Sequence, residues 1–129
     1  MAPPSTPYLT PEQYLELDSR AERPSEYFDG EIFEVQASSL RHNQISVNLI
    51  RSVANQLLDS PCQPMGSTMR VAIPRRKYCY PDLVVACGTP ELAAFDTLLN
   101  PTLVIEILSK ALKTLISDAK PTCIAPSHR

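Results

Sequence analysis

Glycine is scarce in this sequence, with three residues against thirteen prolines. The prolines crowd both ends (Pro3, Pro4 and Pro7; Pro121 and Pro126), so the ends read as tails and not as core. An excess of basic charge is also lacking. A formal net charge of −2 and a pI near 5.6 exclude whole-surface attraction to nucleic acid, and any phosphate contact must come from a local patch. Cys62, Cys79, Cys87 and Cys123 form no Cys-x-x-Cys pair, and His42 and His128 lie far from them, which argues against a zinc site. The first seven residues have no basic region followed by an apolar stretch, so a secretory signal is not expected. No apolar run approaches membrane-spanning length. These absences point to the cytoplasm, where free thiols are the expected state of the cysteines.

What is present is an ordinary globular composition, 43% hydrophobic over 129 residues, with room for one domain and its core. Thr10-Pro11-Glu12-Gln13 is a helix start, with Thr10 as cap, Pro11 at the first helical position and Gln13 completing a capping box. That helix is expected to run to about Asp18, with Tyr14, Leu15 and Leu17 as its apolar content. Residues 25–35 read as a hairpin, because Asp29-Gly30 is a tight-turn pair between two short strands. Ser38 or Ser39 then opens a helix to about Leu58, with Ile45, Leu49, Val53 and Leu57 at helical spacing. A strand is expected over residues 68–73, followed by a basic turn, Pro74-Arg75-Arg76-Lys77. The runs Leu83-Val84-Val85-Ala86 and Leu103-Val104-Ile105-Glu106-Ile107-Leu108 read as strands buried on both faces. The order predicts an α/β domain with a mixed sheet and flanking helices, without internal repeats.

Glu106 is the informative anomaly, a carboxylate in a run of aliphatic residues. Burying that charge requires a cation, a hydrogen-bond network or a raised pKa. Taken alone, the residue equally fits an edge strand facing solvent, or a pair with a buried arginine. Asp82 changes the balance. It stands directly after Pro81 at the mouth of the other apolar strand, and neighbouring strands would bring the two carboxylates together. Like charges in one place repel unless a cation lies between them, and hard oxygen ligands suit magnesium or manganese.

Pro81-Asp82, a gap, and Glu106 in an apolar strand resemble the PD-(D/E)XK nuclease pattern. More closely, the chain is similar to the Uma-type restriction endonuclease family. Five blocks carry the resemblance: residues 10–15 (TPEQYL), 26–32 (EYFDGEI), 41–43 (RHN), 80–85 (YPDLVV) and 100–109 (NPTLVIEILS). The resemblance covers residues 8–109 and implies a restriction-endonuclease-like fold and a metal-dependent DNA endonuclease hydrolysing phosphodiester bonds. It implies Asp82 and Glu106 as ligands of Mg2+ or Mn2+, and Glu31, after the hairpin turn, as the residue completing the site. Glu31 also fits a solvent-facing strand position. His42, in the Arg-His-Asn block, would contact phosphate or orient a ligand, or would be polar surface. Arg75, Arg76 and Lys77 would touch the nucleic-acid backbone, or form a solvated loop. DNA is the implied partner, with a homodimer as the assembly to test and no membrane association.

The resemblance also has a gap. The motif lysine expected two residues after the glutamate is replaced by Leu108, and the similarity ends after Ser109. Residues 110–129 therefore read as a divergent tail, and the domain as truncated at its carboxyl end. With one choice of codons, the segment Lys-Ala-Leu-Lys-Thr-Leu-Ile read in another frame gives Ser-Thr-Glu-Asn-Phe-Asp, the continuation the resemblance leads one to expect. The encoding DNA around Ser109 tests this directly, since codons unable to give Ser-Thr-Glu in any frame end the idea. A noncatalytic remnant, or a small interaction module of the same fold, is the alternative expectation.

Overall fold

The computed structural model describes residues 8–74, 77–108 and 123. Helix α1 (Pro11–Arg20) begins as its sequence dictates. The Thr10 side chain accepts from the Gln13 N–H at 3.1 Å, and the Gln13 side chain accepts from the Thr10 N–H at 2.9 Å. The helix runs two residues beyond the expected end and buries Tyr14, Leu15 and Asp18, whereas Leu17 is half exposed. Strands β1 (Ser25–Phe28) and β2 (Glu31–Glu34) form the hairpin around Asp29-Gly30. Both turn residues have positive φ, 45° and 93°, which is the backbone a two-residue hairpin turn requires. Gly30→Ala is therefore expected to cost about 1–3 kcal/mol, since a side chain at that φ is strained; urea denaturation of the two proteins measures it.

Helix α2 (Leu40–Gln56) is capped by Ser39, whose side chain accepts from the His42 N–H at 3.1 Å. Its apolar stripe is only half covered, and no residue of the helix is fully buried. The strands that follow are β3 (Cys62–Met65), β4 (Val71–Ile73), β5 (Lys77–Cys79), β6 (Leu83–Cys87), β7 (Leu92–Ala93), β8 (Thr97–Leu98) and β9 (Leu103–Ile105). Among the described residues they form two sheets, in the orders β2-β1-β5-β4-β8-β7 and β3-β6-β9. The pairing of β4 with β8 is parallel and the rest is antiparallel, so the architecture is mixed α/β, as expected.

The run at 83–86 is buried throughout as strand β6. Its partner at 103–105 is not buried on both faces as expected. As the edge strand of its sheet it leaves Leu103 47% exposed. The core lies between the sheets, where Val71, Val84, Ala86 and Leu98 pack with Met65, Ile73 and Val104. A second cluster joins α1 to the outer face of the larger sheet through Tyr14, Leu15 and Tyr27, with Tyr78 and Ile32 beside them. Tyr14 and Tyr27 stack at 4.9 Å.

A buried polar knot ties these layers. Asp18 accepts from Arg70 Nη2 at 2.9 Å, from the Ser25 N–H at 2.9 Å and from the Tyr80 hydroxyl. Arg70 also donates to Thr97 Oγ1 at 2.9 Å. The cysteines correct the free-thiol expectation, because Cys62 is paired with Cys87 and Cys79 with Cys123. No helix among the described residues is long and apolar enough to cross a membrane.

Candidate active site

Strand alternation decides which side chains share a face. Val84 and Val104 are cross-strand partners and both pack into the core between the sheets. Two positions along each strand, at the same end of the β6–β9 pair, the same parity aims Asp82 and Glu106 toward the larger sheet. In that sheet Tyr27 and Tyr78 are paired and face α1. Their neighbours Glu26, Phe28, Lys77 and Cys79 therefore face the other way, toward the two acids. The register thus brings one carboxylate from β1, one from the start of β6 and one from the end of β9 to the same end of the core.

The closest grouping is Glu26, Glu106 and Cys123, one ligand atom from each lying within 4.8 Å of the others. Cys123 is in a disulfide with Cys79, so its sulfur is not a thiolate donor there and the ligands offered are carboxylate oxygens. Glu106 is half-buried, and its pKa is pushed up to about 7. Burial is the largest cause, followed by the charges of Glu26 and Asp82, while the Cys123 amide and the Lys77 ammonium pull it back. Desolvation therefore leads, and the neighbouring carboxylates add to it.

Asp82 is held from two sides. His42 Nε2 lies 3.2 Å from Oδ1, and the Ile107 N–H donates to Oδ2 at 2.8 Å. His42 is brought there by the first turn of α2, and its Nδ1 is buried without a hydrogen-bond partner among the described residues. Glu26 accepts from the Tyr80 N–H at 2.9 Å, which links the start of β1 to the loop carrying Pro81-Asp82.

Several expectations are corrected here. Glu31 is exposed on β2, the edge strand; the acidic residue beside Glu106 is Glu26, one strand further in. Lys77 is not in a solvated turn. It is 8% exposed within β5, its Nζ 5.7 Å from the centre of the Phe28 ring. Burial pushes its pKa down, against the opposing pull of Glu106 and Glu26. Arg75, Arg76 and the tail expected from residue 110 lie outside the described residues, apart from Cys123. The buried arginine considered as a partner for Glu106 exists as Arg70, but its partner is Asp18.

A separate cleft of about 310 Å³ lies between α2 and the smaller sheet, lined by Val53, Leu57, Val85 and Leu103 among others. Val85 and Leu103 are cross-strand partners toward the far end of β6 and β9 from the acids. The lining is mostly apolar, with Gln56 and Thr102 as its polar members, and carries no titratable group.

A restriction-endonuclease-like fold with acids converging at the end of its core is the class this architecture defines. A crystal structure of a putative nuclease belonging to DUF820 from Anabaena variabilis has the same fold, with a TM-score of 0.67 at 19% identity over 85% of this chain and 64% of that one. Residues 11–120 match the Uma2 family, described as putative restriction endonucleases, and the chain belongs to that family. Two uncharacterized proteins of Synechocystis sp., slr1290 and sll1609, are 34% and 32% identical to it over 109 and 108 residues. Those alignments cover 82% and 81% of this chain, but 57% and 61% of the relatives, so the chain spans somewhat more than half their length.

Proposed function

We propose that this chain carries a divalent-metal-dependent site for hydrolysing phosphodiester bonds in DNA. The observation that supports the reading most is the approach of Glu26 to Glu106 within 4.8 Å, with Asp82 near enough for its charge to act on Glu106, whose carboxyl is pushed toward neutrality by burial first and by those two charges second. Three carboxylates facing one ammonium, that of Lys77, still leave negative charge in excess, and carboxylate oxygens are the donors that Mg2+ and Mn2+ favour. The donor set therefore fits such an ion, with Asp82, Glu106 and Glu26 as the residues to hold it. When bound, the ion supplies charge stabilisation at the phosphate and lowers the pKa of an attacking water.

The chain's own residues set the geometry around it. The Ile107 amide and His42 fix the Asp82 carboxylate in one orientation. Tyr80 does the same for Glu26 through its backbone N–H. In the hydrolysis, a water oxygen forms a bond to phosphorus as the bond to the leaving oxygen breaks. The water gives up one proton, and the leaving oxygen takes one from solvent. Arg41, exposed in the first turn of α2, would contact the nucleic-acid backbone by charge, without reading sequence.

Nicking of supercoiled plasmid by the purified chain in Mn2+ or Mg2+ tests the reading. Cleavage by the wild type and none by Asp82→Asn is the expected result. A folded wild-type chain that nicks at no metal concentration supports the second reading, a noncatalytic module of the same fold. Leu108, at the place of the motif lysine, favours that alternative.

A further inference from the structure

Among the described residues, the three carboxylates have one buried cationic side chain on the strand facing them. Lys77 is the cross-strand partner of Phe28, and alternation along β1 puts Glu26 on the face that Phe28 occupies. The Lys77 stem is held against the Phe28 ring, and its ammonium interacts with both Glu106 and Glu26. Keeping a lysine 8% exposed costs desolvation, which a role limited to general solubility or backbone attraction does not explain.

Charge counting gives it a role. Three ionised carboxylates and one divalent cation leave a net charge of −1, which repels an anionic phosphodiester. Adding the ammonium brings the total to zero, so a phosphate can enter.

Resting on the nuclease reading above, we infer that Lys77 is the phosphate-binding cation of this site. Its ammonium, positioned over Phe28 beside Glu26 and Glu106, contacts a non-bridging oxygen of the scissile phosphodiester and holds it against the acids. Lys77 is thus a catalytic residue contributed by β5, where the linear motif would place a lysine on the strand of Glu106. It binds charge and transfers no proton.

Lys77→Met preserves the length of the stem and removes the charge; Lys77→Arg restores a cation of different shape. Folding of both is checked by circular dichroism and thermal melting in Mn2+. Three quantities are then compared with the wild type: Mn2+ affinity by calorimetry, affinity for a short DNA duplex in Ca2+ by fluorescence anisotropy, and kcat for cleavage in Mn2+. For Lys77→Met, Mn2+ is expected to bind as tightly as in the wild type or more so, because a positive charge has left the cluster. Duplex affinity is expected to fall about 10-fold, and kcat about 100-fold. Lys77→Arg should recover much of the duplex affinity and less of kcat.

Duplex binding and cleavage that stay at wild-type level in Lys77→Met overturn the assignment. So does a loss of Mn2+ binding together with losses of duplex binding and cleavage, which would make Lys77 a support for the acids and not a contact to phosphate. Failure of the nuclease reading is visible separately, in a wild type that neither binds nor cuts DNA in any of these metals, and the assignment falls with it. A wild type that binds DNA without cutting, and loses that binding in Lys77→Met, upholds the contact.

Discussion

Asp18→Ala is expected to destabilise the chain by about 3–5 kcal/mol, enough to consume much of the stability of an ordinary small domain. The magnitude follows from what the substitution strands. The Asp18 and Arg70 side chains are 1% and 7% exposed, and removing the carboxylate leaves the guanidinium buried with only Thr97 Oγ1 and the Phe95 carbonyl to satisfy it. The Ser25 N–H and the Tyr80 hydroxyl lose their acceptor in the same step. Tyr80 does not compensate by ionising, since burial, the largest cause of its raised pKa, remains after the substitution. The double variant Asp18→Leu with Arg70→Met should be less damaging than the sum of the single changes, because no charge is then left behind. By contrast, the exposed Glu16–Arg20 pair at 3.7 Å is expected to contribute about 0.3–0.5 kcal/mol. Urea titrations of the wild type, Asp18→Ala, Asp18→Leu, Arg70→Met and the double variant measure the differences at the knot. A cost under about 1 kcal/mol for Asp18→Ala would mean that the knot is not what joins α1 to the sheet.

The parts of the fold that the sequence made legible are those specified by near neighbours. The capping box at Thr10 and the Asp29-Gly30 turn need only contacts three or four residues apart, and both form as read. Strand β6 was legible because a continuously apolar run without a polar face fits burial on both sides. Strand β3 was not. Pro64 argues against a strand from local chemistry, and only pairing with Val85, twenty-one positions away, makes it one. The two-residue strands β7 and β8 likewise exist only through register with each other and with Val71. The apolar stripe of α2 fixed its period but not the depth of its burial, which depends on what the smaller sheet presents to it.

The candidate site divides along the same line. Asp82 and Glu106 stood out because an acid beside branched aliphatics is a local contradiction, and the β6–β9 register, continued one step past Leu83 and Ile105, sets them opposite each other. Glu26 lies within the same hairpin as Glu31, and linear order alone did not separate the two. The signal was the alternation of Glu26 and Phe28 against Tyr27, which identifies the inward face once Tyr27 is known to pack on Tyr14. Lys77 was read as part of a basic turn because Arg75 and Arg76 precede it; the ladder of β5 with β1 and β4 places it inside. The cysteine pairs span 25 and 44 residues and leave no local mark.

Glu106→Gln should make the metal-free chain more stable above neutral pH while removing its response to metal. The ordinary carboxyl value is 4.5, and in the folded chain Glu106 holds its proton to about 7, first through burial and then through Glu26 and Asp82. Between those limits the unfolded chain has released the proton and the folded chain has not. Stability from this group is therefore fully present below about pH 4.5, declines as the pH rises through 7, and is flat above. Because the group is only partly buried, screening reduces the full linkage to on the order of 2 kcal/mol. Glutamine cannot ionise, so its variant should equal the wild type near pH 4.5 and exceed it by that amount at pH 8 in a chelating buffer. Mn2+ reverses the order. An ion at 100 times its Kd adds about 2.7 kcal/mol to a chain that binds it only when folded, and the wild type should gain this at pH 7.5 while Glu106→Gln gains little. Cleavage should fall about 10³-fold in the variant, because the charge balance at the phosphate is lost. Thermal melts across pH, with and without Mn2+, separate the two explanations for a buried glutamate. If the variant is less stable at pH 8, or if Mn2+ protects both proteins equally, Glu106 is a structural group and the ion does not bind at the acidic cluster.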